Sequence, residues 1–100
     1  MNLRYAMIAA CMWHVEGSFS TKTLGFKHKN PGNIEHADGT IRIYPTMQDG
    51  FNALVADIAA NAGRPLALFL TKYAPPSQND TVMYVHVVST LTGIAQNELI

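Results

Sequence analysis

A mostly helical α+β domain, with one small β-hairpin after the first core helix, is the fold this sequence predicts. Three observations predict it. Four stretches of the chain carry apolar residues in helix-length runs. One stretch, Ile34 to Tyr44, alternates around a tight turn instead. At 100 residues and 48% apolar content the chain has enough material for one core and not two, so residues 1–100 are read as a single domain.

The elements follow in order. Residues 3–16 form an apolar run with Arg4 and Glu16 as its charged residues. A run apolar on every side is expected at the centre of a fold, and Gly17 suits the position just past a helix C-terminus. Arg4 ahead of Tyr5–Trp13 has the outline of a secretory signal. His14-Val15-Glu16-Gly17-Ser18 offers no small-x-small cleavage site, so the run is read as a buried helix and no signal peptide is expected. Ser18 to Lys29 reads as a loop, and Asn30-Pro31-Gly32-Asn33 is dense in turn formers. Ile34 opens the first arm of the hairpin, Ala37-Asp38-Gly39 turns it, and Thr40-Ile41-Arg42-Ile43-Tyr44 returns. Phe51 to Asn61 reads as a helix with Phe51, Leu54, Val55 and Ile58 on one stripe and Asp49 as its cap. Pro65 suits the first turn of the next, and Tyr73-Ala74-Pro75-Pro76 stops it. Asn79 or Asp80 caps the last, Thr81 to Leu91, with Tyr84, Val88 and Leu91 on one face and Gly93 after it.

Composition excludes several functions. Seven acidic residues balance seven basic ones. A duplex-binding domain needs a basic surplus to neutralise phosphates, so no nucleic-acid partner is expected. No apolar stretch approaches the roughly 18 residues of a membrane span, so no membrane insertion is expected. Cys11 is the one cysteine, which excludes an internal disulfide; mid-run in an apolar helix it reads as inert core rather than as a nucleophile. His14, His28, His36 and His86 are scattered, with no helical i, i+4 pair, and no metal or other cofactor is expected.

Glu16 is the residue placed for chemistry. A carboxyl at the base of an apolar helix is desolvated, and the helix C-terminus adds partial negative charge; both favour the protonated form. A carboxylic acid held protonated near neutrality is what glycosidic cleavage needs, because a proton must reach the leaving oxygen.

Its company sharpens the reading. Glu16-Gly17, a hydroxyl-rich loop, Asn30-Pro31-Gly32-Asn33-Ile34, Tyr44-Pro45-Thr46, Asp49-Gly50-Phe51-x-Ala53-Leu54 and Tyr73-Ala74-Pro75-Pro76-Ser77-x-Asn79-Asp80-Thr81-x-x-Tyr84 follow one another along the chain. Together, over about residues 5–93, they resemble the lysozyme-like superfamily, and more narrowly the small muralytic and lytic-transglycosylase-like proteins of bacteriophages and mobile elements. The resemblance implies that Glu16 is the catalytic acid. It implies that Asn30 and Asn33 brace the cleft or touch sugar, and that Tyr84, with Tyr73 as a second candidate, lines the cleft opposite. Tyr44, at the end of the hairpin, is a candidate for stacking on a sugar ring. Asn30 and Asn33 also read as plain turn formers, and Tyr84 equally as core.

The sequence departs from the larger relatives of that superfamily. Gly17 follows Glu16 where lytic transglycosylases usually have Ser, and neither a Gly-Leu-Met-Gln-like nor an Ala-Tyr-Asn-x-Gly segment is present. The phage-lysozyme spacing Glu-x8-Asp-x5-Thr meets Gly25 and Pro31 instead, and Gln78 stands where an acidic residue is expected. Candidates for a second carboxylate are Glu35, Asp38 and Asp49, with Asp38 reading also as a turn former. With no partner assured, a single-acid route is expected: cleavage of the bond between N-acetylmuramic acid and N-acetylglucosamine, as a lytic transglycosylase more than as a hydrolase. The expected partners are peptidoglycan strands, with phage-particle or secretion-apparatus proteins as further ones. The expected place of action is the bacterial cell wall after synthesis in the cytoplasm. The rival is a noncatalytic lysozyme-fold component of a phage particle or secretion apparatus, or a wall-binding module.

Overall fold

Helices carry the architecture in the computed structural model, which describes residues 2–17 and 20–100. In order they are α1 (Leu3–Glu16), α2 (Leu24–Lys27), α3 (Met47–Ala60), α4 (Leu66–Tyr73) and α5 (Thr81–Thr92). Helix α1 packs against α3 and α5, and α4 packs against α5. The Cα radius of gyration is 12.6 Å, the value expected of a single domain of this length, about 13 Å.

The predicted α+β class is overturned: among the described residues no strand or sheet forms, and the domain is all-helical. Residues 34–44 do double back, and two backbone bonds cross, from His36 N–H to the Thr40 carbonyl at 2.7 Å and from Arg42 N–H to the Ile34 carbonyl at 2.9 Å. They close only an isolated bridge between Glu35 and Ile41. The reason lies in where the backbone groups go. The buried Asn30 side chain donates to the carbonyls of Ile34 and Arg42 at 2.8 and 2.9 Å, and accepts from the Ile34 N–H at 2.9 Å. The Tyr44 N–H donates to the His28 carbonyl at 3.0 Å instead of to the opposite arm. Asp38 accepts from both the N–H and the hydroxyl of Thr40. Side chains and a distant carbonyl thus take groups that a ladder would use. A second isolated bridge, Pro65 to Leu99, lies at the other end of the molecule.

Caps set the helix boundaries. Asn2, Thr23, Thr46 and Asp80 each accept a hydrogen bond from the backbone N–H three residues on. Helix α3 starts four residues before the predicted Phe51, because Thr46 and not Asp49 is its cap. Asp49, in the first turn, accepts from the Thr46 hydroxyl at 2.8 Å, a reciprocal capping pair. Helix α4 has no side-chain cap. Its first donors are taken by the tail: Leu66 N–H by the Glu98 carbonyl and Ala67 N–H by the Gln96 carbonyl, both at 2.9 Å. Helix α2 lies inside the stretch read as loop, of which Ser18 and Phe19 fall outside the described residues.

The core joins Ile8, Ala9 and Met12 of α1 with Leu54 and Ile58 of α3, Leu66, Phe69 and Leu70 of α4, and Tyr84, Val85 and Val88 of α5. Burial of each large aliphatic side chain contributes about 1.5–3 kcal/mol. Helix α1 is not enclosed on every side as predicted: Leu3 is 83% exposed and Met7 41%. Leu91, expected on the inner face of α5, is 55% exposed.

Two glycines let the Asn30–Asn33 turn sit against the helices. The Asn33 N–H donates to the Asn30 carbonyl at 3.1 Å and closes the turn. A Cβ on Gly50 would stand 1.9 Å from the Lys29 carbonyl oxygen, and one on Gly32 would stand 2.8 Å from a Leu54 methyl. The turn therefore rests directly on α3 and the core, and that seating fixes its height beside the end of α1.

Candidate functional site

Glu16 is the last residue of α1, followed by Gly17 at φ 75°. The left-handed glycine ends the helix there and leaves the carboxyl facing the turn. Asn33 answers it from the turn's end. With φ at 51°, Asn33 takes a left-handed conformation that asparagine tolerates better than most residues, and its Nδ2 donates to Glu16 Oε1 at 3.1 Å. On the other side, Tyr84 Oη from α5 donates to Glu16 Oε2 at 3.0 Å. Three segments far apart in sequence, α1, the turn and α5, thus meet at this carboxyl group.

Beside it opens a cleft of about 610 Å³, within the usual range for ligand sites of about 300–1,000 Å³. Glu16, Asn33 and Glu35 line one part, Asp57 of α3 another, and Lys72 and Tyr73 of α4 a third. Gln78 and Asn79, in the loop before α5, add neutral polar groups. The Tyr73 hydroxyl donates to the Gly32 carbonyl, which ties α4 to the turn across the cleft.

Electrostatics shift the Glu16 carboxyl toward its protonated form. Burial pushes its carboxyl above the ordinary range; the hydrogen bonds from Asn33 and Tyr84 pull the other way, and the nearby Glu35 charge adds to the rise. Burial outweighs the two donors. The Tyr84 phenol is pushed up by burial and by the Glu16 charge, and the Tyr73 phenol likewise. Both remain protonated donors through the neutral range.

The chain matches no protein-family model, no curated protein and no solved structure. Of the residues singled out in the sequence, Glu16, Asn33 and Tyr73 line the cleft, and Tyr84 stands behind Glu16, 3% exposed, as part of the core. Asn30 is fully buried and holds the 34–42 loop together instead of facing the cleft. Tyr44 is half-buried and is not part of the lining.

Among the candidate second carboxylates, Glu35 lines the cleft. Asp38 is exposed at the loop tip with Thr40, and Asp49 is tied to Thr46. The sequence reading missed Asp57 and Lys72. A signal for Asp57 was present: it falls three residues after Leu54 and beside Ile58, so it borders the apolar stripe of α3. Among the described residues, no group of three His, Cys, Asp or Glu is arranged to hold a metal ion, and no helix is long and apolar enough to cross a membrane.

Proposed function

We propose that this chain is a muramidase of the lytic-transglycosylase type, cleaving peptidoglycan between N-acetylmuramic acid and N-acetylglucosamine with Glu16 as its single acid and base. The observation that carries the reading is a desolvated carboxyl, raised above its ordinary range, bordering an open polar cleft. Its position at the end of the first helix also fits the lysozyme-like resemblance of the sequence.

The protonated Glu16 gives its proton to the glycosidic oxygen as the bond to muramyl C1 breaks. The leaving group departs as a neutral alcohol. The substrate's own acetamido oxygen shields the positive charge at C1. Glu16, now a carboxylate, takes the proton of the muramyl 6-hydroxyl as O6 bonds to C1. The product carries a 1,6-anhydro end, the acid is restored, and no water is consumed. Asn33 and Tyr84 serve the second half of this cycle, because both donate to the carboxylate form.

Purified sacculi test the reading. Wild-type protein is expected to release muropeptides with anhydro ends, seen by mass spectrometry, and Glu16→Gln to release none while keeping its helical circular dichroism. Equal release by the variant removes Glu16 from the mechanism. Reducing ends make the protein a hydrolase, with Glu35 as the carboxylate that activates water. Retention on sacculi without any product makes it a noncatalytic wall-binding component.

A further inference from the structure

Three charged side chains near the cleft have no part in the chemistry above. Asp57 and Lys72 line the main cleft and, together with Tyr73, also line an adjoining hollow of about 290 Å³. Arg64, Asn61 and Phe69 complete that hollow. The two spaces are therefore continuous across one shared wall.

The charges on that wall are not used within the fold. The ion pair found among the described residues is Arg4 with Glu98, and neither Asp57, Lys72 nor Arg64 is in one. Asp57 is half-buried, and burial pushes its carboxyl above the ordinary range with no neighbouring cation close enough to offset it. Desolvating a carboxylate with no cation near enough to pair with it costs free energy that the fold does not recover, while Lys72 and Arg64 stand exposed at the rim of the hollow. A ligand carrying both kinds of charge would recover it.

A bare glycan strand is not that ligand. Its N-acetylated sugars are neutral, and the muramyl lactyl carboxyl is normally joined to the stem peptide as an amide. The stem peptide carries what the hollow lacks, namely carboxylates and, on its diamino acid, an ammonium. We propose that the hollow bordered by Asp57, Arg64 and Lys72 receives the peptidoglycan stem peptide, Lys72 and Arg64 pairing with its carboxylates and Asp57 with its ammonium. This rests on the wall-substrate reading of the main cleft and adds to it a preference for glycan that still bears peptides.

Titration of the wild-type protein by calorimetry at low ionic strength tests the assignment. One probe is the disaccharide N-acetylglucosaminyl-N-acetylmuramyl-tetrapeptide, the other the same disaccharide with its lactyl carboxyl capped as a simple amide; neither contains the bond to be cleaved. The stem-bearing probe is expected to bind about tenfold tighter, as two or three partly exposed charge pairs provide. That advantage should shrink as salt is added. Lys72→Gln with Arg64→Gln should remove most of it, and Asp57→Asn part of it. Equal binding of the two probes by wild-type protein overturns the stem assignment and leaves the cleft reading standing. A preference insensitive both to salt and to the double substitution overturns it as well. Binding of neither probe removes both readings together. The salt dependence needs no variant, so an unfolded double variant does not leave the question open.

Discussion

At Glu16 opposing influences act on one carboxyl group. Burial and the Glu35 charge favour the acid; the Asn33 amide and the Tyr84 phenol favour the carboxylate. A group that must give a proton and then take one back needs this balance, because an acid too firmly protonated makes a poor base in the second half of the cycle. Tyr84→Phe alters one side of the balance while keeping the ring in the core. Without its hydroxyl donor the carboxylate loses a charge-assisted bond at 3.0 Å, so the carboxyl must rise further. Cleavage that needs the protonated form falls as pH passes upward through that value. The fall is therefore expected at higher pH in Tyr84→Phe than in wild type, read as dye release from labelled sacculi across a pH series. A fall at the same or lower pH would show that the Tyr84 hydroxyl does not tune the acid.

At the scale of elements, the site is made by a turn braced against helices, and the brace is Asn30. Its side chain holds three backbone groups of the 34–42 loop from a fully buried position. Asn30→Ala would leave the Arg42 carbonyl and the Ile34 N–H without this partner, the Ile34 carbonyl keeping its bond from the Arg42 N–H, at a cost of about 2–4 kcal/mol. Urea titration followed by circular dichroism reads that loss as a lower midpoint, and a midpoint unchanged from wild type would assign the loop's order to something else. The same residue explains what the sequence could and could not disclose. Helix α1, the Gly17 and Gly93 stops and the Asp80 cap were legible because they depend on neighbours within four residues. The hairpin was misread because alternation and a turn motif specify two extended arms, but not whether their hydrogen bonds go to each other. Here two bonds do cross between the arms, and Asn30, four residues before the first arm's opening, takes the next pair, the Ile34 N–H and the Arg42 carbonyl. Glu16 stood out as the carboxylate ending an apolar run. Asp57 did not, because an acidic residue within a helix reads as solvent-facing, and only the fold brings Lys72 and Tyr73 of α4 to the same cleft.

Across the whole molecule, the candidate site and the stability of the fold are in tension. Burial raises Glu16 from an ordinary 4.5 and Asp57 from an ordinary 3.8. A carboxyl whose folded value lies above its unfolded one supports the fold fully below the unfolded value. That support is lost as pH rises through the folded one. Asp38 and Glu98 act in the opposite sense: hydrogen bonds from Thr40 and from Arg4 hold them low, so their support is lost as pH falls. Both are solvated, and solvent screens their effect. Glu16 and Asp57 therefore contribute a decline in stability as pH rises above their unfolded values. Glu16→Gln removes one of these ionisations while keeping a side chain that can still bond Asn33 and Tyr84. Its melting temperature should therefore exceed that of wild type by a margin that widens from about pH 4 to about pH 8. In a domain of this size each kcal/mol is read as about 4–8 °C. A margin that stays constant or narrows over that range would mean that Glu16 ionises in the fold as freely as in the unfolded chain. The cleft would then hold no poised acid, whatever its shape.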